Sequence, residues 1–97
     1  MKFIKVTQEN NQLKLLAQKC VNGEYDAAID IISENLDKED SIRRYHIWLL
    51  IYSLILALKE EYTEAIDALN TLFDVVESIE VKHICQRGIR LCNDQRL

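Results

Sequence analysis

The chain has no proline and only two glycines, Gly23 and Gly88, among its 97 residues. A β-sandwich or barrel of this length turns often, and glycine and proline normally supply those turns. Two glycines cannot serve seven strands. The same scarcity excludes glycine-rich phosphate loops and dinucleotide fingerprints, which need several glycines close together. Cysteine is sparse and odd in number: Cys20, Cys85 and Cys92 lack the paired spacing of a disulfide scaffold. They read as reduced, mostly buried thiols of a cytoplasmic protein. Long apolar runs are missing too. The N-terminal residues hold no stretch of signal-peptide length. The strongest run, Ile47 to Leu58, is interrupted only by Ser53. As a helix it would span about 18 Å, well short of the ~30 Å hydrocarbon core, so it reads as a helix buried on several sides and not as a membrane insertion.

What is present fits a small all-helical fold. The chain is 48% hydrophobic and 29% charged, ordinary for a folded domain. Its smallness and lack of loops point away from a self-contained enzyme. A net charge of −4 gives no general hold on nucleic acid or anionic membrane. That charge alternates along the chain: residues 1–22, 41–60 and 81–97 are net basic, while 23–40 and 61–80 each carry −6. The pattern predicts five helices. The first begins near Thr7, with Thr7 as N-cap, and is ended by Asn22-Gly23. The second runs from about Glu24 or Tyr25 to Leu36. The third covers about Ile42 to Glu60 after a cap at Asp40 or Ser41. The fourth runs from Thr63 to Val76, and the fifth, capped by Ser78, from Ile79 to about Asn93.

An internal repeat explains the alternation. Glu24-Tyr25-Asp26-Ala27-Ala28-Ile29-Asp30 matches Glu61-Tyr62-Thr63-Glu64-Ala65-Ile66-Asp67 at five of seven positions, 37 residues apart. Ile32 then meets Leu69, and Leu36 meets Phe73. Each copy opens a short acidic helix behind a longer basic and apolar one. The pattern Gly23-Glu-Tyr25-x-x-Ala28-Ile29, echoed with Glu60 in place of glycine, resembles the inter-helix turn of tetratricopeptide repeats. The Trp and Gly usual in the first helix and the closing proline are absent, so the copies are divergent. The resemblance implies antiparallel helix hairpins: one repeat over about 9–36, a second over about 42–76, and a capping helix over about 79–93. A plain helical bundle with an accidental echo is the alternative.

In such repeats the first helix of each unit lines a concave groove. Carried over by register, this implies Asn10, Leu13, Ala17, Cys20 and Val21 from the first copy, and Ile47, Leu50, Leu54, Ala57 and Leu58 from the second. Val81, Ile84, Gly88, Leu91 and Cys92 would continue the wall on the last helix. Gly88 is expected where another helix comes close. Two readings of that helix stay open: it lines the groove, or it folds back and fills it. An apolar trough on so small a domain calls for a second copy or a partner, most naturally an amphipathic helix.

A lone acidic domain of this size and kind is similar to the small chaperones of bacterial type III secretion systems that hold the needle subunit before export. The resemblance implies a bacterial cytoplasmic binding protein without catalysis or cofactor. Its groove would grip an amphipathic helix of the needle subunit, and a second small helical co-chaperone would join the complex. A general tetratricopeptide-like adaptor is the alternative. A helix-turn-helix DNA reader using the basic last helix is a weaker one, because the whole chain is acidic. Metal chemistry finds little footing. His83 and Cys85 point about 200° apart on one helix, and the stretch Glu34 to Asp40 lacks the glycine and spacing of a calcium loop.

Overall fold

Helix-forming sequence runs almost unbroken here, and the computed structural model is correspondingly all-α. It describes the backbone of residues 2–96 and the side chains of residues 11–96. The helices are α1 (Lys2–Val21), α2 (Tyr25–Lys38), α3 (Ile42–Leu58), α4 (Tyr62–Val75) and α5 (Ile79–Arg96). Among the described residues there is no strand. Each helix packs on the next in chain order, most lightly between α1 and α2 and most broadly between α4 and α5. The result is a flat stack measuring 46 × 33 × 19 Å.

The repeat seen in the sequence is a repeat of structure. Val21 and Leu58 end α1 and α3, Tyr25 and Tyr62 open α2 and α4, Lys38 and Val75 close them, and Ile42 and Ile79 open α3 and α5. Each of those pairs lies 37 residues apart. The two hairpin turns are also the same. Glu24 N–H donates to Lys19 O at 2.8 Å and Gly23 N–H to Cys20 O at 3.1 Å. In the second unit Glu61 donates to Leu56 O at 2.9 Å and Glu60 to Ala57 O at 3.0 Å. These paired bonds satisfy the last carbonyls of the helix and need one left-handed residue. Gly23 fills that role at φ 75°, and Glu60 at φ 68°. A side chain there is strained.

Beyond the turn, Ala28 and Ala65 are fully buried, as the close approach of paired helices requires. Ile32 and Trp48 fill the junction of α1, α2 and α3 with Leu16 and Ile55. Leu49, Leu69, Leu72 and Cys85 fill that of α3, α4 and α5. Ser41 caps α3, its hydroxyl accepting from Arg44 N–H at 3.4 Å. Ser78 does the same for α5, accepting from Val81 N–H at 3.3 Å.

Several expected boundaries move. Helix α1 is already formed at Lys2, so Thr7 lies inside it and does not cap it. The residues before Thr7 include no glycine or proline to stop the helix. Helix α4 opens at Tyr62, not Thr63, and Val76 is its C-cap, buried and donating to Leu72 O. Helix α3 stops at Leu58 because Glu60 adopts the left-handed turn. Helix α5 runs on to Arg96.

The structure also shows what α5 is. Ser41, which caps α3, and Ile42, His46, Ile47 and Leu54 within it have identical counterparts at the same 37-residue offset: Ser78 before α5, and Ile79, His83, Ile84 and Leu91 within it. Helix α5 is the first helix of a third unit, placed against α4 as α3 is placed against α2.

Candidate functional site

Helix α3 is apolar nearly all round, and three surfaces account for that. Trp48 and Ile55 are buried toward α2. Leu49 packs in the cluster shared with α4, and Leu56 joins Ala65 and Ile66 of that helix. No described residue covers the third surface. Ile47, Leu54 and Leu58 there are 51%, 50% and 57% exposed.

This surface forms one wall of a trough whose other wall is α5. The two helices run parallel, so their starts meet at one end and their ends at the other. At the first end is a concavity of about 850 Å³, bounded by Ile42, Ile47 and Leu50 of α3, by Val75 and Val76, and by Val81 of α5, with Arg43, His46 and Glu77 at its edge. At the second end is one of about 470 Å³ between Leu54, Ala57 and Leu58 on one side and Leu91, Cys92 and Gln95 on the other, floored by Tyr62. Helix α5 therefore lines the trough and does not fill it.

Not every residue expected in the groove lies there. Leu13, Ala17 and Val21 are exposed on α1, outside both concavities, and Cys20 is half-buried against the cluster around Leu16. The side chain of Asn10 lies outside the described residues. Leu50 and Val81 bound the trough but are half-buried against the core as well. Ile84 is exposed between the two concavities on α5. Gly88 is a correction. A Cβ built on it would stand 2.9 Å from Leu69 Cδ1, so its bare face serves the α4–α5 contact and not the trough. The reason is register: 37 residues earlier stands Ile51, which packs inward against the α2 cluster.

Sequence reading missed Ile42, Arg43, His46, Tyr62 and Val75 at the trough. The signal for the register was present in the match between Ser-Ile at 41–42 and 78–79 and His-Ile at 46–47 and 83–84. Extending it selects Ile84, Arg87, Leu91 and Gln95 on α5, and passes over Gly88.

The ends of the stack differ from the trough. Where α5 shows the face that α3 turns to α4, it carries Gln86, Ile89, Arg90 and Asn93, which border a shallow polar depression with Asp94. Where α1 shows the face that α3 turns to α2, Asn11, Lys14 and Gln18 are exposed in place of Trp48, Ile51 and Ile55. Polar end faces are how a helical stack avoids sticking to more of itself.

Shifted protonation lies mostly away from the trough. Lys59 pairs with Asp26 across to α2 and with Glu61 at 2.9 Å. Those hydrogen bonds push the lysine pKa up, and the bond from Lys59 holds the Glu61 carboxyl below its ordinary range. Glu64 is pushed up by the neighbouring Glu61 carboxylate. Burial pushes the thiols of Cys85 and Cys92 up, so they stay protonated and inert. Among the described residues, no group of three His, Cys, Asp or Glu side chains could hold a metal ion. No described helix is long and apolar enough to cross a membrane. What the arrangement offers is shape and apolar area: a trough able to bury one face of a rod.

Compared with known proteins, the chain matches no family profile, no curated protein and no solved structure.

Proposed function

We propose that the trough between α3 and α5 binds an amphipathic helix of a partner protein. Taken with the family resemblance, the partner is the needle subunit of a type III secretion system. It would be held in the bacterial cytoplasm, with a second small co-chaperone, so that it does not polymerise before export. The observation that carries the reading is the uncovered surface of α3. Three large aliphatic side chains, Ile47, Leu54 and Leu58, stand about half exposed at one-turn to two-turn intervals, beside two largely apolar concavities. Apolar area arranged in this way is rare on a protein that works alone, and side chains at i, i+3/i+4 and i+7 are how a helix anchors in a groove.

The test is co-purification from the native host with mass spectrometry of the bound chains, using the parent and Leu54→Asp. Leu54 is exposed enough that the aspartate leaves the helical fold intact. Leu50→Asp is a poorer probe, because Leu50 also packs on the core. The expected result is a small helical needle-like partner on the parent and none on the variant. Partner retention by Leu54→Asp, or recovery of ribosomal or DNA-linked chains only, would overturn the reading.

A further inference from the structure

The stack is segregated by charge. Helices α2 and α4 carry seven acids against one base, Lys38, and all seven are exposed. Helix α3 carries Arg43 and Arg44 and no acid, and α5 carries four bases against Glu80 and Asp94. The helices that wall the trough are therefore cationic, and those behind it are anionic. Arg43 borders the larger concavity, and Arg87, which lines neither concavity, occupies on α5 the position that Leu50 holds on α3. Both are exposed, and neither side chain has a hydrogen bond or ion pair within the described residues. Among the described residues, Glu77 is the one acid bordering either concavity.

Spacing adds a length. The α3 residues of the two concavities centre about eleven positions apart, which on a helix is about 16 Å, or three turns. Resting on the proposed trough function, we infer that the occupant is an acidic amphipathic helix of more than three turns. Large apolar side chains three turns apart enter the two concavities, and Asp or Glu residues beside that seam face Arg43 and Arg87. A second copy of the chain fits poorly. Its acidic helices have their apolar sides buried in its own core, and two troughs set face to face would oppose their arginines. An anionic lipid surface would satisfy the arginines but is flat, whereas the apolar area is recessed between two helices.

The experiment uses two fluorescent peptides, each stapled into a helix and carrying Leu at i, i+4, i+7 and i+11. One has Glu beside the Leu seam, and the other has Lys at the same positions. Binding to the full chain is read by anisotropy at low and high salt. The acidic peptide is expected to bind at least about tenfold more tightly at low salt, with the gap narrowing as salt screens the charges. Arg43→Glu with Arg87→Glu should reverse the preference, and Leu54→Asp should lose both peptides. Equal binding of the two, still lost in Leu54→Asp, would overturn the charge inference while the trough reading stood. Binding of neither peptide would bring down the trough reading and this inference together. A dimer that the peptides do not displace, or phosphatidylglycerol vesicles bound through Leu54 in place of the peptides, would also overturn it.

Discussion

Glu60 stands where the equivalent turn has Gly23, and the backbone makes the same demand at both. Its φ of 68° lies in the left-handed region that a side chain makes unfavourable by about 1–2 kcal/mol. The neighbours oblige it to stay there: Lys59, Glu60 and Glu61 N–H groups all close onto carbonyls of the last turn of α3. Glu60→Gly should therefore raise stability by about 0.5–1 kcal/mol, less than the full strain because glycine also loosens the unfolded chain. A urea midpoint that stays level or falls would contradict that account. At Gly23 no atom lies within 4 Å of a built Cβ, so a side chain there meets a conformational penalty and no clash. Both turn positions were legible in the sequence from the repeated Glu-Tyr-x-x-Ala-Ile. That Glu60 is forced into the glycine conformation was not, because only the hydrogen bonds on either side show that the turn is conserved in shape.

Helix α5 shows the difference between recognising an element and placing it. Apolar residues three or four apart mark Val81, Ile84, Gly88, Leu91 and Cys92 as one stripe, and the first reading assigns them all to the groove. The structure divides them, since Gly88 presses on Leu69 and Cys92 reaches the smaller concavity while only 4% exposed, whereas Leu91 is 63% exposed at the trough. A helix with neighbours on one side and a trough on the next has a stripe broader than either surface, and periodicity alone does not say where one ends. Gly88→Ala should change stability little, since the gain in helix propensity of about 1 kcal/mol offsets the small shift demanded of the Leu69 methyl. Gly88→Leu should destabilise by about 1–3 kcal/mol through overpacking against α4. Denaturant titration separates the two, and a Leu variant as stable as the parent would remove Gly88 from the α4–α5 contact.

The whole molecule is a stack of two and a half units, and among the described side chains its apolar surface is exposed mainly sideways, while the end faces are mostly polar. Gln86 and Asn93 hold the positions on α5 that Leu49 and Leu56 hold on α3, and Asn11 and Gln18 replace Trp48 and Ile55 at the other end. Changing Gln86 and Asn93 together to leucine would give α5 the face that α3 uses to bind α4. Sedimentation velocity should then show association rising with concentration beyond that of the parent. An unchanged profile would mean that the polarity of this end face is not what limits association there.

The sequence by itself determined the helical class, the hairpin order and the 37-residue repeat, because these rest on local signals: few helix breakers, a capping serine, a turn motif and a charge sign that changes with each helix. It also marked α3 as a helix with neighbours on several sides, and the repeat register assigned Ile47, Leu50, Leu54, Ala57 and Leu58 to an open groove. Tertiary structure alone decided what stands opposite that open side: α5, with Val81, Leu91 and Gln95, and not α1. Whether a leucine of α3 meets α2, α4 or solvent depends on how three helices cross, and that is set by side chains far apart in the chain: Ala28 and Ala65 admitting close neighbours, Leu69 seated on Gly88, Trp48 filling the junction with Leu16. The trough exists because α3 and α5 stand parallel on either side of α4 with no described residue between their outer edges.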